Sequence, residues 1–319
     1  MPEGSPRRQR AVLDLSVVEN ARLCDDHYRL TLRCSSNIDA QPGQFVHLRC
    51  RRSHIAGAGE SSEAMDGPVL LPRPFSIAGL RAIDGGCAID LIYGVVGPGT
   101  TWMAGLRPGD GITALGPLGN AFDAPPTPGR AYVVGGGAGL PPMIWMAERL
   151  AAEGHRVVAF CGARTGGRMA LTLTGPIPTD ASEPCMAAEE FARHGTPIVL
   201  ATDDGSLGVA GSVVSAMSAY HAARTDGQDV SIVYACGPEP MMRAAATWCD
   251  EHGIRCQVCM ERMMACGIGT CQSCAVAIRD DAAPNGHVYK LCCTDGPVFD
   301  AREVVWELPV PDSTWRPPY

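Results

Sequence analysis

Short apolar runs broken by turn residues fill the first part of the chain. Residues 28–32, 41–48 and 88–93 are runs of this kind, separated by polar residues, glycine and proline. Runs of this length and spacing are typical of strands in a small antiparallel barrel. We therefore predict a β-barrel domain over residues 1–128. A polar stretch rich in glycine and serine, residues 51–71, predicts a loop inserted between two of its strands.

From residue 129 the pattern changes to alternating strands and helices. Strands are predicted at residues 130–134, 157–161, 198–202 and 231–236, and helices after residue 142 and over residues 240–251. Repeated strand, glycine-rich turn and helix are typical of a parallel sheet that binds a nucleotide at the carboxyl ends of its strands. We assign residues 129–252 to this α/β domain, so the predicted fold class is a multidomain β plus α/β protein.

The segment 253–300 is rich in cysteine and is the third predicted unit. Cys266, Cys271 and Cys274 have the spacing C-x4-C-x2-C, and the pair Cys292-Cys293 follows. One loop with this spacing can wrap a [2Fe–2S] cluster, with a fourth thiolate supplied by a later segment. Glycines inside the loop tolerate the positive φ that such a curl requires. The segment is therefore predicted to be an iron–sulfur module.

Zinc and free thiols are the alternatives for these cysteines. Cys256-x2-Cys259 and Cys271-x2-Cys274 would make a zinc ribbon of two CxxC pairs, but Cys266 would then have no role. A disulfide framework is disfavoured, because the 15 cysteines are odd in number and spread along the chain. The start of the chain is polar and lacks the apolar stretch of a signal peptide, so a reduced, cytoplasmic protein is expected.

Composition excludes two classes of function. The net charge is −8 among 319 residues, which argues against a protein that binds the phosphate backbone of nucleic acids. No run of 18 apolar residues occurs, so a membrane span is not expected. The tail over residues 301–319 is partly apolar and is predicted to pack as a strand or short helix before a loose end.

Two motifs in the barrel region indicate a flavin. An arginine at the start of a predicted strand can neutralise a diphosphate, and a serine beyond the proline can hydrogen-bond the edge of a flavin ring. A glycine-rich turn that enters a helix offers backbone N–H groups to an anion. The candidate flavin contacts are Arg73, Pro74, Phe75, Ser76, Gly97, Gly99, Thr100 and Thr101.

Further motifs in the α/β region indicate a nicotinamide dinucleotide. The turn after residue 134 reads G-x-G-x-G-x-x-P, which misses the strict G-x-G-x-x-G fingerprint but still suits a pyrophosphate. A small Cys-Gly-Pro turn after a later strand lets a flat ring approach the backbone. Two adjacent aspartates favour NAD over NADP, because they repel a 2′-phosphate, whereas Arg164 would oppose this preference. The candidate dinucleotide contacts are Gly135, Gly137, Gly139, Asp203, Asp204, Cys236 and Gly237.

Taken in order, these motifs resemble the ferredoxin–NADP reductase superfamily. Residues 201–208, 261–269 and 293–299 narrow the resemblance to the electron-transfer subunits of type B dihydroorotate dehydrogenases. The resemblance covers residues 11–300 and implies FAD, a [2Fe–2S] cluster and NAD as cofactors. It also implies a partner, an FMN-containing catalytic subunit that oxidises dihydroorotate, with two copies of each chain in the complex and NAD+ as electron acceptor.

Carried over residue by residue, the resemblance places Arg73, Pro74 and Ser76 at the flavin. It places Gly99, Thr100 and Thr101 at the flavin diphosphate, and Gly137 and Gly139 at the nicotinamide dinucleotide. The implied cluster ligands are Cys266, Cys271, Cys274 and Cys293, with Cys292 as an adjacent competitor. Two alternatives remain: a reductase subunit of another NAD(P)H-linked complex, as in ferredoxin:NADP+ oxidoreductases, sulfide dehydrogenases or hydrogenases, and a non-enzymatic zinc or regulatory module.

Overall fold

The computed structural model describes residues 10–50, 71–125, 127–224 and 229–307. The predicted loop at residues 51–71 lies almost wholly outside the described residues, as does the end of the predicted tail. No helix among the described residues is long and apolar enough to cross a membrane.

A closed barrel forms the first part of the fold, as the apolar pattern predicted. Its strands are β1 (Ala11–Arg22), β2 (His27–Cys34), β3 (Phe45–Arg49), β4 (Arg73–Ile83), β5 (Gly86–Gly94) and β6 (Gly111–Leu118). They pair antiparallel in the order β1-β2-β5-β4-β3-β6. Alternate residues of β1, such as Leu13, Leu15 and Val17, are buried inside the barrel, while their neighbours face outward.

One predicted strand begins later than its sequence pattern suggested. The run at 41–48 starts as a turn, in which the N–H of Gln44 donates to the carbonyl of Gln41 at 3.1 Å. Pro42 lacks an N–H for a strand ladder, and Gly43 has a φ of +100°, so β3 starts only at Phe45.

A parallel sheet forms the second part. Its strands are β7 (Arg130–Gly136), β8 (Arg156–Ala163), β9 (Ile198–Thr202), β10 (Val209–Ala210), β11 (Ile232–Cys236) and β12 (Arg255–Cys259). Helices α2 (Leu140–Ala152), α4 (Val213–Ala223) and α5 (Glu239–Glu251) pack against it, and two short helices, α1 (Pro98–Ala104) and α3 (Glu189–Ala192), lie elsewhere. The buried Met143, Met146 and Leu150 of α2 are core residues, as their helical spacing predicted.

The cysteine-rich segment is attached to this sheet rather than separate from it. It contributes a hairpin of β13 (Ala275–Arg279) and β14 (His287–Leu291), and a last strand, β15 (Val298–Asp300). β12 pairs parallel with β11, and β15 then pairs antiparallel with β12. The sheet therefore does not end at the predicted division between residues 252 and 253. The observed architecture of antiparallel barrel, parallel sheet with helices and cysteine module confirms the predicted fold class.

Specific polar contacts join the three parts. The side chain of Asn120, just after β6, donates to the carbonyls of Asp295 at 3.0 Å and Val298 at 2.8 Å, and accepts the Val298 N–H at 2.9 Å. Arg29 of the barrel forms an ion pair with the buried Glu190 of α3. These contacts fix where the barrel, the sheet and the cysteine module meet, and that junction contains the cavity described next.

Candidate functional site

A cavity of about 1090 Å³ opens where the barrel, the carboxyl ends of the sheet strands and the cysteine module meet. The barrel contributes the start of β4 and the turn into α1. The sheet contributes the turns after β7, β8, β9 and β11, because the carboxyl ends of parallel strands lie at one edge. Residues 259–262 and Met264 close the cavity on the side of the cysteine module.

Most of the predicted flavin residues line this cavity. They are Arg73, Pro74, Phe75, Ser76, Gly97, Gly99 and Thr100. The Thr100 hydroxyl oxygen accepts the N–H groups of Val96 at 2.9 Å and Gly97 at 3.2 Å, so its side chain holds the turn together. Thr101 does not line the cavity. Its side chain is exposed, and its N–H bonds to the Gly97 carbonyl within the helix.

An aromatic group beside these residues was not predicted. Tyr93 at the end of β5 is buried, lines the cavity and stacks on Tyr28 at 5.7 Å between ring centroids. Phe75 meets the Tyr93 ring edge-on, and the Tyr93 hydroxyl donates to Asn20 at 3.1 Å. Burial raises the pKa of Tyr93 well above its usual range. Tyr28 and Tyr93 are direct partners across β2 and β5, so a correct strand pairing would have revealed the stack.

The three glycines predicted to contact the dinucleotide at the end of β7 and in the turn after it differ: one lines the cavity, and two allow close packing. Gly137 lines the cavity, has a φ of +56°, and a Cβ added there would meet no protein atom within 4 Å. A Cβ on Gly139 would lie 2.0 Å from the carbonyl oxygen of Cys236, and one on Gly135 would lie 3.0 Å from Leu140. Gly135 and Gly139 therefore shape the turn without lining the cavity.

The Cys-Gly-Pro turn after β11 packs directly against that glycine turn. Cys236 lines the cavity, whereas Gly237 is not in its lining. Gly237 has a φ of +152°, and a Cβ there would lie 2.8 Å from Met241 and 2.9 Å from the carbonyl of Gly136. The absence of a side chain at Gly237 is thus needed for the two turns to meet, while Cys236 and Pro238 on either side of it line the cavity.

The two aspartates after β9 point in different directions. Asp203 is exposed and lines the cavity. Asp204 turns back on its own loop, where its carboxylate accepts the Ser206 N–H at 3.0 Å and hydroxyl at 2.6 Å. These bonds hold the pKa of Asp204 below its usual range. Arg164 also lines the cavity, and its carbonyl accepts the Asp204 N–H at 3.3 Å, so a guanidinium and a carboxylate lie on neighbouring turns.

The cysteine loop is curled by residues with positive φ. Gly267 has a φ of +71° and Gly269 a φ of +88°. The sulfur of Cys266 accepts the N–H groups of Ile268 and Cys271, each at 3.4 Å. Hydrogen bonds from Ser273, followed by those from Cys266, lower the pKa of the exposed Cys271 to about 6. The loop therefore offers donors to thiolates, as a ligand loop for a metal cluster must.

Adjacent cysteines 292 and 293 face opposite sides. The Cys293 sulfur interacts with the Cys274 thiol and with the N–H of Gly269, and burial raises its pKa to about 12. The Cys292 thiol instead donates to the Met260 carbonyl at 3.1 Å, on the side of the sheet. This arrangement favours Cys293 over Cys292 as the fourth ligand.

The zinc alternative does not fit the positions of its cysteines. Cys256 lies in β12 with its side chain against Cys249, and Cys259 lies against Cys236. Nowhere in the described ranges do three His, Cys, Asp or Glu side chains converge enough to hold a single metal ion. A two-iron cluster instead spreads its four thiolates over two metals, and the pairs Cys266–Cys271 and Cys274–Cys293 suit that spread.

Comparison with known proteins agrees with this geometry. A family model described as the iron–sulfur cluster binding domain of dihydroorotate dehydrogenase B matches residues 261–305. A relative from Geobacillus thermodenitrificans, named dihydroorotate dehydrogenase B (NAD(+)), electron transfer subunit, is 36% identical over 91% of this chain and 97% of its own length. The chain belongs to this family. A Listeria monocytogenes member with the same name is 31% identical over 91% of this chain and 98% of its own.

Solved structures extend the comparison to other reductases. One from a study of flavin-based electron bifurcation by the NADH-dependent reduced ferredoxin-NADP oxidoreductase aligns with a TM-score of 0.69 and 26% identity, covering 92% of this chain and 90% of that one. A ferredoxin reductase of carbazole 1,9a-dioxygenase shares the fold at a TM-score of 0.57 and 20% identity, over 78% and 68%. The named relatives and the family model confirm the predicted resemblance to electron-transfer subunits of type B dihydroorotate dehydrogenases.

Further cavity residues were not among the predicted cofactor contacts, although Glu261 and Arg262 lie in a motif that carried the family resemblance. Glu261 lies two residues after β12 and lines the cavity, and desolvation by the surrounding protein raises its pKa. Arg262 beside it forms an ion pair with Glu239 at 2.8 Å. Arg168 lines the cavity and lies 3.5 Å from Asp26. All three depend on contacts between distant segments, and no local spacing marks them.

Proposed function

We propose that the chain passes electrons between NAD(H), FAD and a [2Fe–2S] cluster as the electron transfer subunit of an NAD+-dependent dihydroorotate dehydrogenase. The observation that supports this most is the single cavity shared by the flavin motif, the glycine turn and the base of the cysteine module. A bound flavin supplies the chemistry that links two-electron exchange with nicotinamide to one-electron exchange with a cluster.

The residues of the cavity fit these groups. Around Gly137 there is open space that a side chain would fill, which suits a dinucleotide close to the backbone. The side chain of the exposed Arg73 passes beside Gly99 in the turn into α1, from where its guanidinium can neutralise a diphosphate. Ser76 and the buried Tyr93 provide a polar edge and an aromatic wall for a ring system. Asp203 lies where it can disfavour a 2′-phosphate.

The cysteine module provides the proposed route by which electrons leave the cavity. Cys266, Cys271, Cys274 and Cys293 are the proposed ligands, and Glu261 and Met260 connect the cavity wall to their loop. Four thiolates in two pairs are the donor set that a [2Fe–2S] cluster requires. The chain itself holds the redox groups in place, and the oxidation of dihydroorotate is assigned to the partner.

The proposed partner is an FMN-containing catalytic subunit, in a complex with two copies of each chain. Met263 is 88% exposed and Ile268 is 46% exposed, both beside the cysteine loop. Met264, by contrast, lines the cavity and packs on the core, so it is not part of this surface. An exposed apolar surface next to a redox centre is a suitable docking site for an electron partner.

A reconstitution experiment tests the proposal. The purified chain is expected to carry FAD and a [2Fe–2S] cluster by absorption, and NADH is expected to bleach both. When it is expressed with the catalytic subunit, dihydroorotate-dependent reduction of NAD+ is expected, and neither chain alone supports the full rate. Absence of flavin, or a pair that never elutes together or couples the two reactions, contradicts the proposal.

A matched pair of variants tests the docking surface. Met263→Asp is expected to weaken the complex by about tenfold or more, because a charge is buried without a partner at the interface. Val12→Asp, at a residue 71% exposed on β1, is the control and should leave the complex intact. Equal effects of the two changes in a titration of complex formation would show that the surface lies elsewhere.

The similarity to the NADH-dependent ferredoxin-NADP oxidoreductase structure supports a second candidate, an NAD(P)H:acceptor reductase subunit of another complex. The same cavity and loop would serve it. Reduction of ferredoxin by NADH without any dihydroorotate-oxidising partner would favour this candidate, whereas coupling to dihydroorotate would favour the first.

A further inference from the structure

His47 is a buried polar residue at the boundary between the barrel and the cysteine loop. It lies in β3, is 2% exposed, and pairs across the strands with Pro74 of the flavin motif. On its other side it faces the loop, because a Cβ added to Gly267 would lie 2.7 Å from Nδ1 of His47. His47 is therefore paired through its backbone with the strand of the proposed flavin site, while its ring faces the proposed cluster loop.

The surroundings of the His47 ring indicate which of its two nitrogens donates a hydrogen bond. A histidine ring carries at least one N–H donor, and burial, the largest effect, lowers the pKa of His47. The backbones of Cys266 and Pro72 act against that lowering, as accepting carbonyls do. Nε2 is buried and, within the described part of the chain, makes no hydrogen bond. Nδ1, the atom nearest Gly267, is left as the donor toward the loop.

We propose that His47 is a positioning residue that donates its Nδ1–H to the Cys266 carbonyl and so fixes the cluster loop against the strand of the flavin motif. The inference rests on the proposed function, since it concerns how the chain holds the cluster. Gly267 makes the contact possible, because any side chain there would collide with the ring. A buried polar group without partners is destabilising, so an apolar residue would suit this place better unless the donor were used.

The proposed hydrogen bond should raise the reduction potential of the cluster. A donor directed at the backbone of a ligand residue stabilises the form with more negative charge, which is the reduced cluster. Loss of the donor is therefore expected to shift the reduction equilibrium about fivefold toward the oxidised form. For one electron this is about 40 mV, at 59 mV per tenfold change.

The test compares two substitutions that place an amide differently. His47→Asn puts an N–H close to the position of Nδ1, whereas His47→Gln puts it close to Nε2. We expect His47→Asn to keep the wild-type midpoint potential and the wild-type rate of iron loss to a chelator. His47→Gln should lower the potential by about 40 mV, the fivefold shift above, and lose iron about fivefold faster. Leu48→Val is the control for a disturbed β3, since Leu48 is buried in the barrel core.

A double-mutant cycle tests the contact from the loop side. Gly267→Ala alone is expected to reduce the iron content, because its Cβ meets the His47 ring and its φ of +71° is strained. In the background of His47→Ala the steric part of this loss should disappear. The two changes then combine less than additively in iron content, which marks a direct contact.

The outcomes separate this inference from the proposed function. If the wild-type chain binds no FAD or no cluster, the proposed function fails. If it binds both, but His47→Asn, His47→Gln and Leu48→Val give one potential and one rate of iron loss, the positioning role is refuted. Strict additivity of His47→Ala and Gly267→Ala would refute the contact.

Discussion

Two glycines in the turn after β7 should respond very differently to the same substitution. In Gly139→Ala the new Cβ would lie 2.0 Å from the carbonyl oxygen of Cys236 and 2.4 Å from the nitrogen of Gly237. Contacts under 3.0 Å do not persist, so the turn and the end of β11 must separate by at least 1.0 Å, the difference between 3.0 and 2.0 Å. β11 is hydrogen-bonded to β7 and β12, and these bonds resist the movement.

The loss of folding stability in Gly139→Ala can be compared with that in Gly137→Ala, which serves as the control. Overpacking costs about 1–3 kcal/mol, and each ladder hydrogen bond that is lost adds about 1 kcal/mol, so Gly139→Ala should destabilise the fold by about 3 kcal/mol or more. Gly137→Ala meets no protein atom within 4 Å and pays only for a non-glycine residue at a φ of +56°. That cost is about 1–2 kcal/mol. Its methyl group instead projects into the cavity.

Thermal unfolding and nucleotide binding separate the two effects. Gly139→Ala should unfold at least about 2 °C below Gly137→Ala, since their costs differ by about 1 kcal/mol or more and 1 kcal/mol shifts Tm by about 2–4 °C in a chain of this order of size. Gly137→Ala should keep most of its stability but bind NADH more weakly. Circular dichroism melts of the cofactor-free chains and an NADH titration measure both. A Gly139→Ala protein that unfolds within about 2 °C of wild type would refute the reasoning about the turn.

Three further predictions concern the cluster, the nucleotide and pH. Cys293→Ser should lose iron, whereas Cys292→Ser keeps it because its side chain faces the sheet; the reverse pattern in iron analysis contradicts the assignment. Asp203→Asn should raise turnover with NADPH relative to NADH by about fivefold, since one charge pair is worth about 1 kcal/mol in water, and Arg164→Ala should act oppositely in a dye-reduction assay. Burial lowers the pKa of His221, so its contribution to stability is complete above about pH 6.5 and is lost at lower pH. His221→Gln should weaken the fall in unfolding free energy between about pH 7.5 and about pH 5.5; an unchanged slope in denaturant titrations disproves this.

Local patterns were enough to predict the elements that surround the cavity. The strand predicted at 198–202 is β9, and the run at 130–134 lies within β7. Apolar runs of strand length and glycine-rich turns are local features, so they can be recognised without knowing the fold. The parallel sheet then brings the turns after these strands to one edge, which is why scattered motifs could be assigned to one site.

Which residues of these turns face the cavity depends on contacts between distant segments, and the spacing of residues within a motif does not reveal those contacts. Thr101, Asp204 and Gly237 belong to the predicted motifs, yet they do not line the cavity. Asp204 bonds to Ser206 two residues later, a turn that Asp-x-Ser favours and that could have been recognised. Gly237 faces Gly136 across two strands, and only the three-dimensional packing shows this. A motif identifies a turn more reliably than it identifies the residue that faces the ligand.

The return of β15 to the sheet explains why the cysteine module cannot be treated as a free appendage. β12 leads into the cysteine loop and β15 leads out of it, and the two strands pair with each other in the sheet that carries the glycine turn. Asn120 ties the same end of the module to the barrel through Asp295 and Val298. The distance between the cavity and the loop is therefore set by the sheet. Under the proposed function, electrons leave through this loop to a partner that docks beside it, and the exposed Met263 is the proposed contact.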